Sequence, residues 1–350
     1  MWYTQSMNEE LLNWYRKTAR KLPWRVMGAK QKPYAVWISE VMLQQTRAEA
    51  VIPYYLRFME ALPDVKALAE VPLDALYKLW EGLGYYSRVR NLQKTARILM
   101  EKYHAELPAD FDALLKLPGI GDYTAGAIAS IAFGIPVPAV DGNVLRVWSR
   151  LTGDARDILD EHTRKDIRSK VQAEIPADSP GDFNQALMEL GATLCGPNTV
   201  PDCEHCPLKT VCVGCRDGTA HLLPNRSPKP ERRVEEWTLF VLHCNGKTAL
   251  VRRPAKGVLS GQWALPGVQK TMNSDEALGF LSTQGINVEC VYPCPASKHL
   301  FTHIEWRMTA WQTEIESMEM PEIPGVFWLS REEVENAAIP SAYRAYRDML

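Results

Sequence analysis

Between residues 6 and 216 the apolar positions recur at spacings of three and four, broken by short runs of Gly, Pro and Asp. That period predicts a succession of helices joined by tight turns. Ser6, followed by Glu9, predicts a capping box at the start of the first helix. The pattern fails over residues 217–236, DGTAHLLPNRSPKPERRVEE, where three prolines and four basic residues stand with almost no apolar period; an interdomain linker is expected there. Beyond it the period falls to two. WTLFVLHC and KTALVRR flank Asn245-Gly246, a strong hairpin signal, and FTHIEWRMTAWQTEI alternates as a half-buried strand. GVFWLS reads as another strand, and SDEALGFLSTQG and SAYRAYRDML as helices. The expected architecture is a mainly α domain over residues 1–216, the linker, and an α+β domain over 237–350, with no internal repeat.

A chain of 350 residues has room for two such cores, and 46% hydrophobic with 23% charged residues is the balance of a globular protein. No apolar run approaches the roughly 20 residues of a membrane helix, and MWYTQSMNEE lacks the pattern of a secretory signal, so a soluble, cytoplasmic protein without a membrane partner is expected. The formal net charge of -2 gives no general attraction for nucleic acid, and dividing the chain at residue 220 leaves both parts near neutrality. An anionic partner must therefore be held by local features.

Four of the eight cysteines are close together: Cys195, Cys203, Cys206 and Cys212, spaced C-x7-C-x2-C-x5-C. Four thiolates in tight loops suit an iron–sulfur cube, whereas structural zinc usually pairs two close ligands with two more a dozen or so residues away; zinc is the second choice. Cys215 is a spare thiol. Upstream, FDALLKLPGIGDYTAG reads as helix, turn, helix. Gly119 and Gly121 let backbone approach an anion, and the following helix start aims N–H groups at it, a phosphate grip that needs no basic residue. A plain helix–turn–helix corner fits the same residues equally well.

YAVWISEVMLQQT, WEGLGYYSRVRNL, LPGIGDYTAG, AVDGNVLRV and FNQALMELGATLC, in this order and followed by the cysteines, closely resemble the MutY-type adenine DNA glycosylases. These belong with endonuclease III to the helix-hairpin-helix superfamily, and the resemblance spans roughly residues 10–215. It implies a mainly α helix-hairpin-helix glycosylase domain with an iron–sulfur loop, followed by an α+β Nudix-like domain. The implied cofactor is a [4Fe-4S] cluster on Cys195, Cys203, Cys206 and Cys212. The implied substrate is double-stranded DNA holding adenine opposite 8-oxoguanine or guanine, met by a monomer.

Breaking the glycosidic bond of adenine requires a proton on the departing base and a negative charge beside the cationic sugar. Glu40, in Val36-Trp37-Ile38-Ser39-Glu40-Val41-Met42-Leu43, sits in apolar company that favours its protonated form, and Asp141 enters a helix. On the residues alone, Asp141 reads as an N-cap and Glu40 equally as an exposed helix residue. The resemblance assigns Glu40 the role of acid toward adenine N7 and later helper of water. It makes Asp141 the partner of the oxocarbenium and Asn143 an orienting neighbour. Strand-cleaving relatives carry a lysine two residues after the second hairpin glycine. Here that position is Tyr123, which implies base removal with little strand cleavage. Gln185 occupies a position where relatives vary, and no acid–base role is assigned to it.

A base inside a duplex must be flipped out to meet these groups. Gln44, Gln45 and Thr46, with Gly82-Leu83-Gly84-Tyr85-Tyr86, offer amide groups and an apolar or aromatic wedge on tight turns, although on the residues alone Leu83 and Tyr85 read as ordinary core packing. By resemblance, Gln45 and Tyr85 contact or intercalate at the lesion pair, Leu83 lies beside them, and Arg25 lies near the adenine pocket. In the C-terminal domain, Gly261-Gln262-Trp263-Ala264-Leu265-Pro266-Gly267 resembles the approach to a Nudix box. The following residues lack the Arg-Glu-x-x-Glu-Glu carboxylates that hold the hydrolase metal, so a reader domain without hydrolysis is expected. Relatives read 8-oxoguanine through a Phe-Ser-His turn; the matching residues are Phe301, Thr302 and His303. Two departures stand out. The first cysteine spacing is seven residues where relatives have six, and the loop GPNTVPD has no basic residue. Phosphate contacts are therefore expected from among Lys209, Arg216, Arg226, Lys229, Arg232 and Arg233.

Overall fold

The computed structural model describes residues 2–25, 32–197, 199–228, 230–317 and 319–350. The chain forms two compact units, one from Met1–Val71 with Ser87–Pro228 and the other from Pro72–Tyr86 with Lys229–Leu350.

The first unit is helical. Its helices start where a carboxylate meets free backbone N–H groups: Asp64 accepts from Ala67, Asp110 from Ala113 and Asp160 from Thr163. Pro33 opens the helix Pro33–Leu43, and Gly153, left-handed at φ 69, closes Gly142–Thr152. The expected capping box at Ser6 is not a helix start. The first helix runs Trp2–Thr18, because nothing in residues 2–5 breaks it, and Ser6 lies inside. The core joins Leu11 and Tyr15 of this helix to Val144, Val147 and Trp148 of Gly142–Thr152 and to Phe183, Leu187 and Leu190 of Pro180–Thr193. These positions recur at three and four, as the sequence pattern requires. The helices Phe111–Leu115 and Asp122–Ala127 form the expected hairpin, and the second continues as a π-helical turn, Ile128–Ala132.

The second unit is built on one seven-stranded sheet: β1 (Arg233–Cys244), β2 (Lys247–Arg252), β3 (Trp263–Ala264), β4 (Gly267–Val268), β5 (Tyr292–Leu300), β6 (Ile304–Glu314) and β7 (Val326–Ser330). The strand order is β3-β2-β1-β6-β5, with β4 on β1 and β7 on β2. β1 and β6 run parallel at the centre; Asn245 and Gly246, both at positive φ, turn β1 into β2. One face carries Trp306, Met308, Tyr343 and Tyr346, the other the helix Ser274–Thr283 over Phe240 and Leu242. β5 has no clear signal in the sequence, since Pro293 and Pro295 interrupt it. It survives as an edge strand bonded only to β6, with an irregularity between Cys294 and Ser297. The terminal segment Ser341–Met349 is helical, as a 3-10 helix.

The expected linker, residues 217–236, is divided between the units. Ala220 and Leu223 are buried, and Asn225 bonds to Ala155 and Ile158, which ties the stretch before residue 229 to the helical unit. Arg233–Glu236 are already β1, paired with residues 304–307. Burial of two side chains and a full ladder of backbone bonds outweigh the three prolines.

Candidate active site

A cleft of about 810 Å³ opens in the helical unit and gathers residues from four distant segments. Glu40 comes from Pro33–Leu43 and Tyr123 from the helix after the hairpin. Asp141 and Asn143 come from the start of Gly142–Thr152, and Gln185, Met188 and Glu189 from Pro180–Thr193. Arg25, Gln45 and Thr46 line the same cleft. Gln45 sits at φ 60, a left-handed conformation that only a turn would impose on it.

The two carboxylates have opposite surroundings. Glu40 is 6% exposed and accepts a short hydrogen bond from the Tyr123 hydroxyl, which also lies 3.3 Å from Met188 Sδ. Burial pushes Glu40 up to about 7, and the charge of Asp141 adds to the rise; the Tyr123 hydroxyl and Arg25 oppose it. Tyr123 is itself held well above the usual phenol range, first by burial and then by the nearby carboxylates. Asp141 is an N-cap: Oδ1 accepts from the backbone N–H groups of Asn143 (2.9 Å) and Val144 (2.8 Å). Its Oδ2 accepts from the Asn143 amide at 2.7 Å. Burial holds Asp141 above its ordinary value too, and these three donors and the charge of Arg146 limit that rise. The cap and the cleft-lining carboxylate are thus the same side chain.

Residues without a sequence signal hold this pair in place. Arg146, one turn after Asn143, donates from Nη2 to Asn143 Oδ1 at 2.8 Å and to the Gly191 carbonyl at 2.7 Å, and from Nε to the Cys195 carbonyl at 2.8 Å. Glu189 is buried and bonds Arg20 through Nε (2.7 Å) and Nη2 (3.0 Å), and Arg25 at 2.9 Å. Asn184 joins Ser130 Oγ to the Val137 carbonyl and accepts from the Ala139 N–H, fixing the approach to Asp141. Only buried polar residues inside apolar helical patterns could have marked these.

The hairpin lies at residues 117–121. Gly119 has φ +78, and a Cβ there would come 2.7 Å from Asn91 Cβ, so the position requires glycine. Gly121 is extended, with open space where a Cβ would lie, and no side chain caps the following helix.

The thiols of Cys195, Cys203, Cys206, Cys212 and Cys215 line one small apolar pocket with Arg150 and Leu194. Burial pushes Cys206 up to about 12 and Cys203 up to about 11, and the thiols raise one another further. Arg150 donates to Cys195 Sγ at 3.2 Å. Among the described residues no three His, Cys, Asp or Glu side chains are gathered around a single-ion position. Asp202 N–H bonds the Leu194 carbonyl at 2.9 Å, and Val200 is pushed out to 85% exposure.

In the sheet unit, Phe301, Thr302 and His303 make the β5–β6 turn, closed by Phe301 N–H on the Ile304 carbonyl at 2.8 Å. Phe301 packs edge-on to Trp306, while Thr302 and His303 are exposed. Leu83 and Tyr85 belong to this unit's segment Pro72–Tyr86: Leu83 is buried, and Tyr85, at φ 50, is 47% exposed.

Comparison with known proteins divides the chain by sequence, and the helical match runs through Pro72–Tyr86, which the structure groups with the sheet unit. Residues 38–173 match the family of HhH-GPD superfamily base excision DNA repair proteins, and residues 238–349 match the NUDIX domain. The adenine DNA glycosylase of Rattus norvegicus is 34% identical over 98% of this chain and 78% of its own length. The chain belongs to the adenine DNA glycosylases. The fold of the helical unit is shared more widely in that superfamily. A thermostable thymine-DNA glycosylase superposes with a TM-score of 0.55 at 26% identity, covering 61% of this chain and 97% of the other. A trapped endonuclease III–DNA covalent intermediate gives 0.51 at 28%, covering 61% and 96%. Family membership agrees with the expected fold class of a helix-hairpin-helix unit followed by a Nudix-like one. Among the described residues no helix is long and apolar enough to cross a membrane.

Proposed function

We propose that this adenine DNA glycosylase hydrolyses the N-glycosidic bond of adenine opposite 8-oxoguanine or guanine in duplex DNA, without cleaving the strand. The observation that carries the reading is the asymmetry of the two cleft carboxylates. Glu40, buried beside a phenol and raised to about 7, holds a proton for the departing base. Asp141, fixed by three N–H donors, offers negative charge to the developing oxocarbenium. Loss of adenine leaves Glu40 ionised and able to take a proton from the water that adds to the sugar; the same two-carboxylate logic serves glycoside hydrolysis. Tyr123 positions Glu40, and Asn143 positions Asp141. The cleft has no lysine among its described lining residues, so it offers no amine for a Schiff base, in keeping with base removal alone.

DNA enters this reading through local grips. The hairpin at Gly119 and Gly121 takes a phosphate on backbone N–H groups. Gln45 and Thr46 take up space beside the flipped base, with Arg25 beside the adenine, and Tyr85 and Leu83 contribute an aromatic and an apolar wedge to the lesion pair. The exposed Thr302–His303 pair reads 8-oxoguanine on the opposite strand. The protein works as a monomer on DNA in the cytoplasm. Cys195, Cys203, Cys206 and Cys212 hold a [4Fe-4S] cluster: their buried thiols line one pocket, and binding to iron is what ionises thiols of this kind. When bound, the cluster fastens the loop by iron–thiolate bonds.

Single-turnover excision on A:8-oxoguanine, A:G and A:T duplexes, with alkali added to half of each reaction, tests the reading. Breaks only after alkali and only from the mispairs are expected. Breaks without alkali, or none at all, would overturn it. Thr302→Ala should narrow the preference for 8-oxoguanine over guanine, and about four irons per chain should accompany a brown preparation.

A further inference from the structure

A second cavity, of about 430 Å³, adjoins the excision cleft in the helical unit and shares Arg146, Pro197, Thr199 and Arg226 with it. Its charge is one-sided. Three arginines, Arg146, Arg150 and Arg226, line it together with His221, and no Asp or Glu does. Arg146 and Arg150 are tethered to backbone: Arg146 to the carbonyls of Cys195 and Gly191, Arg150 to those of Cys195, Gly196 and Leu223. Those bonds fix the guanidinium groups, while the charge of Arg146 is shared with Asp141 and Arg150 also donates to Cys195 Sγ at 3.2 Å. Arg226 is different, because it is exposed and makes no hydrogen bond or ion pair with any described residue.

The backbone bearing Arg226 is nevertheless pinned. Asn225 on one side donates from Nδ2 to the Ala155 carbonyl at 2.6 Å and accepts from Ile158 N–H at 3.1 Å. Ser227 on the other side bonds Asp157 through its N–H at 3.1 Å and through its hydroxyl. An unpaired guanidinium on an anchored backbone, at the lip shared by two cavities, is a preorganised cation. The exposed Leu222 and Val200 beside it supply apolar surface. Apolar and cationic groups in one lining suit the deoxyribose and phosphate of a nucleic-acid strand.

The other basic residues of this stretch are engaged elsewhere. Arg216 pairs with Asp217, Arg232 bonds the Phe301 carbonyl, and Arg233 pairs with Glu235. Lys229 lies outside the described residues. The loop Gly196–Asp202, which forms the opposite wall through Pro197 and Thr199, carries no Lys or Arg.

We propose that Arg226, with the acid-free cavity it overhangs, is a binding site for a backbone phosphate of the DNA strand that enters the excision cleft. The proposal rests on the reading of the chain as a DNA glycosylase and assigns to Arg226 the backbone contact that the loop is too poor in charge to make. A phosphate here is held by a charge-assisted bond and displaces its own counterion, so the contact must appear in the salt dependence of binding.

The test uses the full chain and a duplex whose target adenosine carries a 2′-fluoro group to block cleavage, with dissociation constants measured across a salt series. Arg226→Ala should weaken binding about tenfold near 0.1 M salt and reduce the slope of log K against log salt by about 0.9. Arg226→Lys should keep most of the slope, and Arg331→Ala, on the helix Arg331–Asn336 of the sheet unit, should leave it unchanged. Methylphosphonates placed one at a time around the adenosine should reveal one position that weakens wild type but not Arg226→Ala. An Arg226→Ala slope equal to wild type, or equal sensitivity of both proteins at every methylphosphonate position, overturns the site. Excision by wild type is scored separately on unmodified A:8-oxoguanine duplex. Absence of excision with the Arg226 effect intact would sink the glycosylase reading alone, and excision with an unchanged slope would sink the phosphate site alone.

Discussion

Glu40 in the helical unit and Glu235 in the sheet unit are buried almost equally, at 6% and 8% exposure, yet they are opposite in character. Burial lifts Glu40 to about 7, because the donors around it reduce to one phenol and a distant arginine. Burial also lifts Glu235, but there it is outweighed. The Trp306 indole donates at 2.8 Å, Arg233 pairs with the carboxylate, and the Trp237 indole adds a third bond at 3.3 Å, so the group ends below the usual range. Glu235 lines an open surface depression and is rich in donors, Glu40 lies deep in its unit and is poor in them, and the two differences together make Glu40 the acid. One carboxylate is kept reactive at a cost to its unit, and the other organises the aromatic cluster of Trp237, Trp306, Phe301 and Tyr343.

That contrast can be broken most directly at Glu40. Glu40→Gln should lower single-turnover excision by about a thousandfold or more while retaining duplex binding, and Asp141→Asn should do the same while its amide oxygen keeps the two backbone cap bonds and the bond from the Asn143 amide is lost. Normal turnover by either variant would remove the assignment. Stability should move the other way at Glu40. A folded pKa raised from 4.5 to about 7 disfavours folding increasingly as pH rises from the unfolded value through 7, so Glu40→Gln should stabilise the helical unit by roughly 2–3 kcal/mol at pH 8, read from urea midpoints. Glu235 has the reverse sign. Its contribution is complete above the unfolded value and lost as pH falls through the lower folded one, and Glu235→Ala, which strands the buried Trp306 N–H, should cost the sheet unit about 1–3 kcal/mol at neutral pH.

The pH profile sharpens the same point. Excision needs protonated Glu40, so its rate should fall about tenfold per unit above pH 7. The smallest effect is expected from Tyr123→Phe. It removes the one donor that lowers Glu40, so the alkaline limb should move to higher pH by up to about one unit; a shift to lower pH would show that the phenol acts otherwise.

Much of this was legible in the sequence, for reasons that differ by region. Glu40, Tyr123, Asp141 and Asn143 stand in ordered motifs, and the structure gathers them in one cleft. Asp141 was legible twice, as a cap and as a cleft carboxylate, and both readings are met by a single geometry. Arg146, Glu189 and Asn184 were not legible, because a charged or polar residue in an apolar helix says that it is buried or exposed but not which distant partner it meets. β5 was hidden by its prolines, and the supposed linker by the same residue type. In each case a non-local interaction, edge pairing with β6 or the Asn225 bonds to Ala155 and Ile158, decided against the local signal. The first helix failed at its start for the converse reason, since a good cap at Ser6 is no boundary when nothing upstream stops the helix.

The N-cap at Asp141 carries a consequence for the energetics of bond breaking. A carboxylate free in water would have to turn its solvent shell as the sugar becomes cationic, and that reorientation would enter the barrier. In the proposed mechanism Asp141 is aligned when the helix Gly142–Thr152 forms, its oxygens already set by three N–H groups of the folded chain. Its reorganisation is completed during folding, once per molecule, instead of once per turnover.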